Sequence, residues 1–173
     1  MPIILALIGA ATAFYFLVIR ARNAADIATD VVDMANDVRL AARRFGFKRR
    51  TNLHPVESIE DPNLAISAIA LSFLELNDLP TQEQRNAMVV QSQSVLDVSK
   101  IDAEEMMVLG RWFMSECGGP DAAISRISRK LCKIDPSGFD PLMGLVKAVL
   151  PDDGLNDKQR DALDDIKRAF RIR

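Results

Sequence analysis

The sequence predicts an all-α protein, and three observations carry that prediction. Apolar residues recur at helical rather than alternating spacing, capping signatures open one segment after another, and the first nineteen residues carry no charge. No alternating strand pattern or hairpin signal interrupts this. The expected layout is an N-terminal transmembrane anchor over 1–21, a juxtamembrane amphipathic helix over 22–50, a linker over 51–60 and a compact helical bundle over 61–173. The 173 residues, 49% hydrophobic, suffice for one ordinary domain plus an anchor.

The anchor reads IILALIGAATAFYFLVI over 3–19 and is closed by Arg20 and Arg22. At 1.5 Å per helical residue this covers roughly 25 Å, and Met1, Pro2 and Ala21 extend it to about 30 Å, the depth of a bilayer core. A cleaved signal peptide needs a basic leading region, and only Met1 and Pro2 precede the run. Ala11-Thr12-Ala13 resembles a cleavage site, yet the apolar residues continue to Ile19, so a retained helix is expected. Positive charge follows the segment and none precedes it, which places the C-terminal side in the cytoplasm and the N-terminus outside. Gly9 and Ala13, four apart, form a small face suited to packing against another membrane helix.

From Arg22 to Phe45 there is neither Pro nor Gly, so a helix is expected to continue beyond the anchor. Ala24, Ile27, Val31, Met34, Val38, Ala41 and Phe45 follow a 3,4 spacing, a heptad seam of about three repeats. Two readings fit it: a homodimer through this helix, or a stripe docked on the chain's own bundle. Docking is preferred, because alanine at two seam positions makes a poor dimer contact. The seam ends in a basic cluster of Arg39, Arg43, Arg44, Lys48, Arg49 and Arg50. Residues 20–50 hold eight Lys/Arg against four Asp, and residues 51–173 hold fourteen against twenty acids, so a net charge of −2 hides opposite halves. The cluster has three readings: contact with anionic membrane lipid, pairing with the acidic part of the same chain, or a solvated helix end. Lipid contact requires the helix to lie flat or bend at Gly46, because surface potential fades over about 8 Å. Nucleic acid is not expected, since only Phe45 and Phe47 accompany the cations and no groove-reading motif follows.

Beyond a connector rich in Gly, Pro and charge, the helices are expected in turn. Asp61-Pro62 opens one to about Leu76, apolar on nearly every face and too short to cross a membrane. Thr81-x-x-Gln84 caps one to about Val98, and Asp102-x-x-Glu105 starts the next, ending at Gly118-Gly119. Pro120 opens a helix with Ile124, Ile127 and Leu131 inward and Arg126, Arg129, Lys130 and Lys133 mostly outward. Asp140-Pro141 begins another, with Leu142, Val146, Val149 and Leu150 as its stripe. Asn156-x-x-Gln159 caps the last, with Leu163, Ile166 and Phe170 inward.

One internal repeat stands out: NDLPTQEQRNAM (77–88) aligns without gaps to DDGLNDKQRDAL (152–163). In each, an apolar helix ends in an acidic turn and a capping box starts the next helix, which predicts two similar helix-turn-helix hairpins packed together. On these residues the chain resembles the TerB-like (tellurite-resistance) helical domains, and the anchor ahead of it resembles the arrangement of membrane-anchored DjlA-type co-chaperones. The resemblance implies a bacterial inner-membrane protein with a cytoplasmic bundle. His54-Pro55 is similar to part of the His-Pro-Asp loop of J domains, but Val56 stands where Asp belongs, so no J domain is expected. In the family, the turn Asp and the following Glu serve as acidic metal or contact residues. Here the Glu positions are Gln84 and Gln159, neutral and poor ligands for a hard cation. Asp78, Asp152 and Asp153 remain as metal candidates, outweighed by caps and turns.

No Gly-rich phosphate loop, no histidine within the bundle and no nucleophile with an adjacent base is present. Glu104-Glu105 reads as a helix start. Met106, Met107 and Met114 with Trp112 read as core or as an adaptable groove for a partner helix. Cys117 and Cys132 read as core thiols, since two cysteines make no framework and the single His54 is remote. No cofactor and no enzymatic activity are expected. The function expected is that of a protein-interaction or stress-response adaptor, with membrane lipid and other membrane or cytoplasmic proteins as partners. The alternative is a constitutive accessory subunit of a larger membrane complex.

Overall fold

The computed structural model describes residues 37–47, 52–76, 79–150 and 154–172. Among them the protein is all helical, without strands. A helical stretch over 37–44 precedes α1 (Pro62–Leu74), α2 (Gln82–Leu96), α3 (Lys100–Cys117), α4 (Pro120–Ile134), α5 (Phe139–Val149) and α6 (Asp157–Ala169). Two 3-10 turns, Pro55–Ser58 and Pro136–Gly138, lead into α1 and α5.

The first of these helices, α1, is the hub. Asp61 caps it by accepting from the Asn63 and Leu64 amides at 2.8 and 3.4 Å, with Pro62 preset for the first turn. Leu64 through Phe73 are all buried, because α3, α4 and α5 surround the helix. Its small residues allow close approach: a Cβ on Gly110 of α3 would lie 3.1 Å from the Ala68 backbone. A helix apolar on every face requires neighbours on every side, and the topology supplies them.

Both expected capping boxes form. Thr81 Oγ1 accepts from the Gln84 amide at 3.2 Å while Gln84 Oε1 accepts from the Thr81 amide at 2.8 Å. Asn156 and Gln159 repeat the pair at 3.0 and 3.1 Å. The start of α3 differs from expectation by one turn. Ser99 is the N-cap, accepting from the Asp102 amide at 3.1 Å, so Asp102 is already helical. Glu104 and Glu105 therefore lie in the second turn, not at the helix start. Likewise α5 begins at Phe139, since Asp135 caps a short 3-10 turn by accepting from the Ser137 amide at 2.9 Å.

The two hairpins do not pack as self-contained pairs. The contact between α1 and α2 is slight; α2 lies chiefly on α3 and α5, and α6 lies on α4. Phe139 and Phe170 meet at 5.5 Å, so the end of α6 touches the start of α5. The reason is burial: α1 has apolar faces enough for three partners, whereas α2 buries only Met88, Ser92 and Leu96 and is left to the periphery.

One core serves the whole unit, which extends from Val38 to Arg173. Residues 55–59, expected as linker, enter it with Val56 and Ile59 fully buried. Lys130 Nζ donates to the Glu57 carbonyl at 2.8 Å and Arg126 sits 3.8 Å from the Glu57 carboxylate, so two cations expected to point outward hold this turn to α4. Of the stripe residues, Ile124, Ile127, Leu131, Leu142, Val146, Val149 and Ile166 are buried, while Leu150, Leu163 and Phe170 are half-buried at its margin. Among the described residues no helix is long and apolar enough to cross a membrane; the segment expected to do so, 1–21, lies outside them.

Candidate functional site

The feature that distinguishes this bundle is the face where the stretch 37–47 meets α3. Gly46 decides how it is built. At φ +63° it ends the helix in a Schellman turn: its amide donates to the Arg43 carbonyl at 3.2 Å, and the Phe47 amide reaches back to Ala42 at 2.8 Å. That turn directs Phe47 onto α3. Its ring packs edge-on against Trp112 at 5.6 Å and Phe113 at 5.4 Å, and those two rings lie 5.0 Å apart. The same turn recurs at Gly118 (φ +85°) and Gly119, where it reverses α3 into α4.

Val38, Ala41, Ala42 and Phe45 pack on the same core, with Ala41 buried. These are the described members of the seam together with one neighbour, and they face the chain's own bundle. Ile27, Val31 and Met34 lie outside the described residues, as do Gly9 and Ala13. The basic cluster divides. Arg44 Nε lies 2.7 Å from Asp102 and Nη1 lies 3.4 Å from Glu105, so this guanidinium ties the stretch to the first turns of α3. Arg39 and Arg43 are exposed, with no ion pair to a described residue; Lys48, Arg49 and Arg50 lie outside the described residues. The Asp102 carboxyl is held below the usual carboxylate range, first by the Ser99 hydroxyl donating at 2.6 Å. Desolvation opposes this, and the charge of Arg44 adds to it.

Met106 and Met114 are buried, Met107 packs against the core, and Phe47 lies over Trp112. Met106 and Met114 are therefore core, and Met107 and Trp112 lie at its margin, with the chain's own Phe47 against Trp112. In the sequence Phe47 is only an aromatic beside cations; the Phe-Gly-Phe pattern, with glycine placed to turn the chain, is the one local signal of its role. His54 is also structural. Its Nδ1 accepts from the Val56 amide at 3.3 Å, and Nε2 lies 3.2 Å from the Glu116 carbonyl, to which it donates in the complementary tautomer.

The thiols of Cys117 and Cys132 are free and half-buried, and burial pushes the Cys117 thiol up in pKa. Among the described residues no three His, Cys, Asp or Glu side chains group to hold a metal ion. The metal candidates Asp78, Asp152 and Asp153 lie outside the described residues. No family model matches the chain, and no curated protein or solved structure matches it.

Proposed function

We propose that this protein is a single-pass membrane protein whose TerB-like helical bundle is a non-enzymatic protein-interaction or stress-response adaptor, held at the cytoplasmic face of a bacterial inner membrane. One observation carries the reading: an uncharged apolar run over 3–19, closed by Arg20 and Arg22, stands ahead of a bundle that buries its own core. The docked stretch 37–47 supports it, because its contacts with α3 make the chain just before the bundle part of the same packed unit.

Alkaline extraction of native membranes tests the tether, and the protein should stay with the lipid. Purification in mild detergent tests the role. An adaptor should bring down variable, substoichiometric partners. A single partner at fixed stoichiometry would favour the accessory subunit, the reading that the Gly9 and Ala13 spacing supports. Titration with calcium or magnesium should leave the melting temperature unchanged, and a rise would point instead to a metal sensor.

A further inference from the structure

The fold splits the basic cluster into an inward and an outward part, and the outward part has a composition of its own. At 3.6 residues per turn, successive side chains are set about 100° apart. Ala41, Phe45 and Val38 then fall within about 60° of one another, the side packed on the bundle. Arg39, Arg43 and Leu40 fall within about 100° on the opposite side. Arg39 and Arg43 are exposed without ion pairs to described residues, and Leu40, 59% exposed, lies about 60° beyond Arg43 on the same face. Arg44, on the flank, is committed to Asp102 and Glu105.

We propose that Arg39, Leu40 and Arg43 form a contact face for an anionic bilayer surface, with the 37–44 helix lying along that surface. The proposal rests on the tethered reading above and specifies how the bundle is oriented once tethered. Charge complementarity favours this occupant: two cations beside an exposed apolar side chain on one helix face suit the boundary between headgroups and acyl chains. Another protein would have to supply acidic groups, whereas anionic lipid supplies them wherever the helix rests. Distance makes the orientation specific. Arg39 follows Arg20 by nineteen residues, about 29 Å if helical, while surface potential fades over about 8 Å. A helix standing away from the surface therefore makes no such contact. Arg44 is excluded from the face because its charge is already neutralised.

The test uses the full chain with Cys117→Ala and Cys132→Ala, labelled with a bimane fluorophore at Leu40→Cys and reconstituted into nanodiscs containing a headgroup-nitroxide lipid. Quenching should be strong with phosphatidylglycerol present, weak with phosphatidylcholine alone, and reduced by salt. Each cation at an anionic surface changes its occupancy about fivefold, so Arg39→Glu with Arg43→Glu should abolish the quenching and Arg39→Lys with Arg43→Lys should retain it. Trp112 emission should stay constant across these variants, showing that the stretch remains docked. Quenching that is equal in both lipids, or unaffected by charge reversal, overturns the proposal. Charge-dependent binding of duplex DNA in place of lipid does so as well. Flotation of the unlabelled chain on pure phosphatidylcholine vesicles reports the tether alone, so its failure is distinguishable from failure of this face.

Discussion

Among the described residues, two that are not glycine sit in the left-handed region, Asp97 at φ 52° after α2 and Arg171 at φ 56° after α6. Side chains there cost roughly 1–2 kcal/mol that glycine avoids, less the entropy glycine loses on folding. Asp97→Gly and Arg171→Gly should each stabilise the bundle by about 0.5–1 kcal/mol in urea titrations. Asp102 makes a prediction in pH. A carboxyl with a depressed folded pKa contributes stability that is present above its unfolded value and is lost as pH falls through the folded one. Asp102→Asn should therefore lower stability at neutral pH, with the difference shrinking as pH falls through the ordinary carboxylate range and vanishing only below the depressed folded pKa. Chemical denaturation at a series of pH values reads this directly.

Helix starts separate local chemistry from packing. Thr81→Ala and Asn156→Ala should each cost about 1 kcal/mol, since each removes an acceptor for an N3 amide. Their effects should add in the double variant, because the two boxes open helices that share no capping partner. At the join between the stretch 37–47 and α3, apolar contact should outweigh charge. Phe47→Ala removes a ring from a three-ring cluster and should cost about 2 kcal/mol while shifting Trp112 emission to the red. Arg44→Ala breaks a pair whose arginine side chain is 45% exposed, and should cost no more than about 1 kcal/mol. A larger loss for Arg44→Ala would show that charge holds the stretch in place.

The compact unit starts at Val38, and this has consequences for the whole molecule. A fragment beginning at residue 61 lacks Ala41, Phe47, Val56 and Ile59, leaving α3 and α4 with exposed apolar surface. It should bind a hydrophobic dye and unfold at lower denaturant than a fragment beginning at residue 38, which should unfold in one transition. Matching midpoints for the two fragments would show that the preceding stretch adds nothing to the fold.

The sequence by itself determined the helical class, the capping boxes at Thr81 and Asn156, the break at Gly118-Gly119 and most of the inward stripes. These depend on interactions within a few residues, so periodicity and side-chain chemistry suffice to read them. The helix start expected at Asp102 lies one turn too late because Ser99 also fits a capping pattern, and only the backbone at residue 99 shows that it precedes the helix. The tertiary structure alone decided what packs on what. It drew Val56 and Ile59 into the core, gave α2 and α6 partners outside their hairpins, and paired Arg44 with α3 while leaving Arg39 and Arg43 outward. Burial against distant elements has no local signature, so the membership of the site, unlike the identity of its helices, had to come from the fold.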